Sequence, residues 1–397
     1  MPRAQLLALA GTASAGLTTL EGFDMPSAFG AFKVQFGKSY GSADEEARRF
    51  STFSDNLARA AEHNANYEDA AFHSQGINLF SDMTLSEVRA QRTGHNKRGL
   101  GEAQPTATMA EVGCPACKLF PVHAEYTANS LNWTSKGAVG PVRDQGPCGA
   151  CWAFASTADV EGSQFLDTGK FTSLSMQQTV ACDHDGELND GCLGGLGTNN
   201  FNYLLGKLTG HEKVGGLVSY QTWPWASDMG PGDDCKADSD CKAACTQIGD
   251  KTLAPTCDDE VCKCQPTCQA KLEDGPYGGM IDGWLWVSQS AKSEAGMTQA
   301  LAKYGPIDIA IDAGGIAGYV PGTVIRPTKA LCDPTNVDHE VLLTGFGTLN
   351  GVDYWEVKNS WGTGFGASGY FLIERGVNGC GMATDAATSY RNSTASL

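Results

Sequence analysis

The stretch Gln145-Gly146-Pro147-Cys148-Gly149-Ala150-Cys151-Trp152-Ala153-Phe154 decides how this chain is read. Trp152-Ala153-Phe154-Ala155 begins an apolar helical run, and Gly149 and Ala150 ahead of it let the chain turn tightly. Cys151 then falls at a helix N-terminus, where unpaired N–H groups and the helix dipole favour negative charge. A thiol attacks carbonyls as its thiolate, and a low thiol pKa needs such a terminus or a nearby cation. Gln145 lies six residues upstream and can aim a side-chain N–H at the point reached by the Cys151 backbone N–H. Two donors converging on one developing oxyanion are what acyl transfer requires. Taken alone, Cys148 and Cys151 fit a disulfide or half of a zinc site as well, so the rest of the chain must choose.

At 397 residues the chain is long enough for two domains plus extras. Asp and Glu number 45 against 28 Lys and Arg, a formal charge of −17, which argues against nucleic acid or an anionic membrane surface as partner. Fifteen cysteines leave one thiol free if the others pair in an oxidising compartment, and Cys151 is the natural odd one. Arg3, the apolar run Leu6-Leu7-Ala8-Leu9-Ala10 and Ala13-Ser14-Ala15 read as a signal peptide over 1–15. No later apolar run reaches the length of a membrane span. These features point to a soluble protein of the secretory pathway, in a lysosome or vacuole or outside the cell.

Cys148-Gly149-Ala150-Cys151-Trp152 resembles the nucleophile motif of papain-like cysteine proteases of the cathepsin L type. The resemblance implies Cys151 as nucleophile and Gln145 as part of the oxyanion hole. Val337-Asp338-His339 resembles the family's histidine strand, and Lys358-Asn359-Ser360-Trp361-Gly362 its asparagine motif. By that likeness His339 pairs with the thiol, Asn359 orients the ring, and Trp361 shields the contact. The separation of His339 from Cys151 exceeds the family's usual value, and an insertion between them accounts for the excess. Gly191-Cys192-Leu193-Gly194-Gly195 resembles the family's cleft loop and implies a Cys148–Cys192 disulfide. The same comparison pairs Cys182 with Cys235 and Cys332 with Cys380. The implied fold is α+β: a helical half and an antiparallel, barrel-like β half with the active site between. Alternation at Ile307, Ile309 and Ile311 and the strands near 341, 354 and 370 agree with the second half.

Upstream, Phe29, Phe32, Phe36 and Tyr40 line one helix face. Glu45, Arg49, Phe53, Asn56 and Asn64, then Gly76, Asn78, Phe80 and Asp82, resemble the ERFNIN helix and G-x-N-x-F-x-D element of cathepsin L-type propeptides. Ala60 stands where that pattern has Ile, so one contact is thinner. Such a propeptide runs backwards through the cleft and blocks it. The expected division is a propeptide over 24–95, a linker with the maturation site over 96–124, and a peptidase domain over 125–397. Cys114 and Cys117 fall in the linker and read as a small disulfide, with a redox or metal motif as the alternative. A Cys-rich insertion over 236–273 departs from the family. Its six cysteines fit three bridges whose connectivity the sequence leaves open, or a zinc site.

The pocket for the substrate residue two places before the cut is implied to involve Gly194, Gly195, Leu196, Gly197, Ala310, Val337, Glu340 and Asp385. The residue after the family's histidine is usually small; here it is Glu340, with Asp385 as a second acid. Acceptance of Arg or Lys beside apolar side chains follows if these acids face the pocket, and not if they point to solvent. The expectation is a monomeric cysteine endopeptidase zymogen with no cofactor and no metal. Peptide and protein substrates, its own propeptide and cystatin-like inhibitors are the implied partners. Two rivals are an inactive peptide-binding homologue, and an adhesion or targeting protein acting through the Cys-rich insert. Of the sequons at Asn132 and Asn392, the first sits beside a packed Trp and the second reads as usable.

Overall fold

A computed structural model describes residues 18–95, 128–183, 189–206, 216–225, 277–289, 294 and 296–391, with only the backbone of 253–258 and 261–266. The expected signal peptide, the linker with Cys114 and Cys117, Cys235, most of the Cys-rich insertion and Asn392 lie outside the described residues.

The N-terminal unit is built on two helices. α1 (Met25–Phe36) starts where the Asp24 side chain accepts the Ser27 N–H and stops at Gly37 in the left-handed region. α2 (Ala43–Asn64) is capped by Ser42 and has Asp44, Glu45 and Glu46 in its first turn, where the dipole favours them. Phe29 and Phe32 pack on Phe53 and Leu57. The polar residues of the second pattern have a different task. Arg49 donates to the Asp82 carbonyl at 3.2 Å, and the Asn56 amide to Ser81 O and Met83 O, each at 2.8 Å. Asn64 exchanges two hydrogen bonds with the Gln75 backbone. A helix with few core positions thus holds the following extended segment by its backbone. Asp82 is itself held by Lys38 at 2.8 Å and by the Tyr40 hydroxyl at 3.0 Å. α3 (Leu85–Arg92) begins in a Thr84–Glu87 capping box.

β1 (Leu131–Asn132) opens the second unit. α4 (Cys151–Thr168), α5 (Met176–Cys182) and α6 (Gly197–Leu204) form its helical side. β2 (Leu217–Val218) precedes the insertion, within which β3 (Leu253–Asp258) and β4 (Val261–Pro266) pair antiparallel with Cys257 opposite Cys262. β5 (Tyr277–Gly279) pairs with β2. The sheet half contains β6 (Gly283–Gln289), α7 (Met297–Tyr304), β7 (Ile307–Ile311), β8 (His339–Leu349), β9 (Val352–Lys358), β10 (Tyr370–Glu374) and β11 (Asp385–Tyr390). These strands run in the order β10-β9-β8-β7-β11-β6, all antiparallel, with β1 beside β8.

Two elements are buried more than periodicity suggests. One apolar face is expected for α4, yet every residue from Cys151 to Ser163 is buried. It lies at the seam, covered by the sheet on one side and by α5 and α6 on the other. β7 alternates Ile307, Ile309 and Ile311 with Asp308 and Ala310, and all five are buried. The isoleucines join the main core, while Asp308 and Ala310 look into the seam. A disulfide joins Cys148 to Cys192 across the helical side and another joins Cys332 to Cys380 at the sheet edge. Cys182 is also disulfide-bonded.

The first unit docks on the sheet half. Gly76 N–H reaches Gly318 O at 3.0 Å, Val320 N–H reaches Ser74 O at 3.0 Å, and the Asn78 amide reaches Ala317 O at 2.8 Å. Arg89 bridges Asp312 at 2.5 Å and Asp338 at 2.8 Å. A cavity of about 280 Å³ remains between the units, and Ala60 lies on its wall.

Candidate active site

Cys151 is the first residue of α4, and among the described residues it is the free cysteine. Ala150 at the N-cap offers no side-chain oxygen, so this helix end has no side-chain cap. The backbone N–H groups of Glu340 and Trp152 lie on the side of the sulfur and favour its thiolate. The first of these belongs to the residue after His339, so the opening of β8 lies against the thiol. Burial pushes the Cys151 thiol well above its ordinary range, and the charges of Glu340 and Asp338 push the same way.

His339 Nε2 lies 2.7 Å from Asn359 Oδ1. The same oxygen takes the Ser360 N–H at 2.8 Å, which fixes the amide's orientation. An amide oxygen only accepts, so Nε2 carries the hydrogen and Nδ1 presents its lone pair. Nδ1 is buried and has no hydrogen-bond partner. Trp361 stacks on the imidazole with centroids 4.8 Å apart. Burial lowers the His339 pKa to about 4, against the Asn359 hydrogen bond and with the help of the His95 charge. In this state thiol and imidazole are both driven toward their neutral forms.

Gln145 is fully buried. Its backbone N–H donates to Ser360 O at 2.8 Å, and its side-chain oxygen accepts the Ser360 hydroxyl. Its Nε2 donates to Cys148 O at 2.7 Å. That is a difference from the expected aim, since one amide hydrogen is spent on the loop; the amide has two.

The groove between the halves is filled by residues 93–95 of the first unit. Gly94 and His95 donate to Asp338 O at 3.2 and 3.0 Å, and Gly195 donates to Gly94 O at 2.8 Å. His95 and Gly195 form a parallel bridge. Trp361 Nε1 reaches Arg92 O at 3.0 Å, and Phe80 meets the Trp361 ring edge-on. Gly94 lies directly on the nucleophile loop: a Cβ there would stand 2.0 Å from Gly149 O.

The expected pocket residues gather round one side chain that the sequence did not flag. His95 is buried, with Nδ1 2.7 Å from Glu340 Oε1 and Nε2 3.8 Å from Asp385 Oδ2. Glu340 is 4% exposed, so the solvent-facing alternative does not hold for it. Gly197 N–H donates to the same carboxylate at 3.0 Å to Oε2. Ala310 stands opposite Glu340 in the β7–β8 ladder, and Leu196, Ala310 and Val337 are buried. Burial works against a charged His95, but the hydrogen bond and charge of Glu340, then the charge of Asp385, outweigh it and raise its pKa. Burial also raises the Asp385 carboxyl, to about 6, opposed by the charge of His95. His95 is the last residue of the expected propeptide and follows Gly94 with no motif around it, so nothing local marked it. Asp308, a charge in an isoleucine strand, was a signal available in the sequence.

Comparisons with known proteins place this chain in a family and a fold. The papain family cysteine protease model matches residues 127–390, and the cathepsin propeptide inhibitor domain model matches residues 29–88. Digestive cysteine proteinase 1 of Homarus americanus is 33% identical over 359 residues, covering 89% of this chain and 92% of the relative. Cysteine proteinase 15A of Pisum sativum is also 33% identical, covering 89% and 83%. Digestive procathepsin L 3 of the Tenebrio molitor larval midgut superposes with a TM-score of 0.65 at 27% identity, covering 92% of this chain and 99% of that one. Recombinant stem bromelain precursor gives 0.65 at 29%, covering 93% and 99%.

Proposed function

This chain belongs to the papain family of cysteine proteases and carries a cathepsin-type propeptide inhibitor domain, and on that premise we propose how its residues divide the work. The molecule is an endopeptidase zymogen in which residues 24–95 inhibit, 96–124 connect and contain the maturation cut, and 125–397 form the peptidase. Cys151 attacks the substrate carbonyl carbon and His339 takes its proton. The C–N bond breaks as the protonated imidazole delivers that proton to the leaving amine, leaving a thioester on Cys151. Water, deprotonated by His339, then attacks the thioester and frees the acid and the thiol. Gln145 and the Cys151 backbone N–H stabilise the oxyanion in both halves. The observation that carries this reading is the His339 ring: one nitrogen is held by Asn359, and the other is buried and unpartnered, with Cys151 the free cysteine among the described residues.

The segment 93–95 supports intramolecular inhibition of two kinds. It occupies the groove, and it keeps water from the thiol and the imidazole, which favours their neutral forms over the ion pair. Its cut-resistant parallel course beside Gly195 agrees with a blocked, not a productive, complex.

The same reading extends to selectivity. With Glu340 and Asp385 on its wall, the pocket takes basic residues two places before the scissile bond as well as apolar ones, and the lodging of His95 there is what supports it. The disulfides, the digestive roles printed for two of the relatives, and the N-terminal leader-like stretch favour a secretory route, ending in a lysosome, a vacuole or outside the cell.

Cys151→Ala tests the mechanism. Peptide turnover should fall by more than about 10³-fold, with no thioester trapped by acid quench and an unchanged circular dichroism spectrum. Retained turnover in that variant removes the assignment of Cys151 as nucleophile.

A further inference from the structure

Behind Glu340 lies a carboxyl group that no motif accounts for. Asp308 sits on β7 with Leu342 opposite it, two residues along from the Ala310–Glu340 pair. Asp308 and Glu340 are therefore diagonal neighbours on one face of the sheet, close enough for long side chains to meet. They converge beneath Gly197: a Cβ on that glycine would lie 1.8 Å from Asp308 Oδ2 and 2.7 Å from Glu340 Oε2. Only a residue without a side chain leaves room for both oxygens, and its N–H serves the pair by donating to Glu340. Asp308 Oδ2 and Glu340 Oε2 thus crowd one small space on the same face of the sheet. Asp159 is a third buried acid of the seam, and its carboxylate accepts the Ser389 N–H at 2.8 Å.

Two carboxyl groups in such contact cannot both be anionic at low cost; one keeps a proton and donates it. Burial, then the charges of Glu340, Asp159 and Asp385, hold Asp308 far above the usual carboxylate range. The proton thus belongs to Asp308. Glu340 then receives three donors: Gly197 N–H, the Asp308 hydroxyl and a cation, here His95 Nδ1. Two of the three come from the enzyme itself and remain when the propeptide leaves.

We propose that Asp308 is a positioning residue for substrate selectivity, a neutral acid that holds the Glu340 carboxylate facing into the pocket so that a basic side chain two places before the cut is preferred. Without it, Glu340 keeps one fixed donor and can turn toward any space Asp308 vacates. The pocket then favours apolar side chains, because the charge no longer faces the incoming cation. This rests on the reading of Glu340 as a pocket residue.

The test uses acid-matured enzyme and two peptide substrates that differ only in Arg or Leu two places before the scissile bond. Asp308→Ala should lower the Arg/Leu ratio of kcat/KM by about tenfold, mostly through KM for the Arg peptide, with Leu turnover kept. Asp308→Asn, a neutral donor of the same shape, should hold the ratio within about twofold. Equal loss on both peptides in Asp308→Ala, with Asp308→Asn restoring both, makes the residue structural and overturns the proposal. An Asn variant as poor as the Ala variant overturns the neutral-donor role. Glu340→Ala separates the two levels. If it leaves the ratio unchanged, the pocket reading itself fails; if it collapses the ratio while Asp308→Ala does not, only the role of Asp308 fails.

Discussion

His339 and His95 are both buried imidazoles beside the same strand start, and they are driven in opposite directions. His339 meets an amide oxygen on one side and has no hydrogen-bond partner on the other, and burial carries its pKa down to about 4. His95 meets the carboxylates of Glu340 and Asp385, and its pKa rises despite equal burial. The ring is the same, so the partner decides. An amide orients an imidazole without fixing its charge, which suits a group that must gain and lose a proton in each cycle. A carboxylate fixes the charge, which suits an anchor. The two rings also oppose each other, since the His95 charge is one of the influences holding His339 neutral.

Several measurements sharpen or break that contrast. The largest effect should be on thiol reactivity. If the propeptide's cover keeps Cys151 and His339 neutral, alkylation of Cys151 near about pH 6 should be more than about 100-fold slower in the intact zymogen than in the matured enzyme. Similar rates in the two forms would show that the pair is set by the fold alone. A smaller effect concerns the anchor. The raised His95 pKa means that its contribution is complete below about pH 6.5, the ordinary histidine value, and is lost as pH climbs through the raised one. The groups facing it are Glu340, Asp385 and Asp338. In the Cys151→Ala zymogen, His95→Gln should lower Tm by about 2–4 °C near about pH 6.5 and by under about 1 °C near about pH 9. An equal drop at both would make His95 a packing residue only. The smallest effect is at the far end of the same docked unit. Ala60→Ile, filling part of the 280 Å³ gap, should raise the zymogen's Tm by about 1–2 °C. A lower Tm would mean that the gap's walls are too close to accept the branch.

What could be read from the sequence was local. The chemistry of 145–154 sits within ten residues, so turn, helix start and thiol are visible together. The polar spacing at Arg49, Asn56 and Asn64 was equally plain, although only the structure shows that these side chains grip the backbone of 75–83. Glu340 and Asp385 could be picked out because the family likeness marks their positions. Asp308 stood out as a charge in an isoleucine strand, but its meeting with Glu340 depends on the β7–β8 register, which no single strand displays. His95 was missed for a related reason: a lone histidine after a glycine has no pattern, and its place follows from how Gly94 crosses the groove. The all-round burial of α4 was hidden because periodicity reports one packed face and this helix has several.

The contact of Gly94 with Gly149 reaches beyond inhibition. Both backbones touch because neither residue has a side chain, and any replacement at 94 collides with the carbonyl beneath it. Every glycine codon is one base from an alanine codon, so a single point mutation suffices to prise the strap from the nucleophile loop. This contact between strap and nucleophile loop is therefore open to disruption by a single-base change at codon 94.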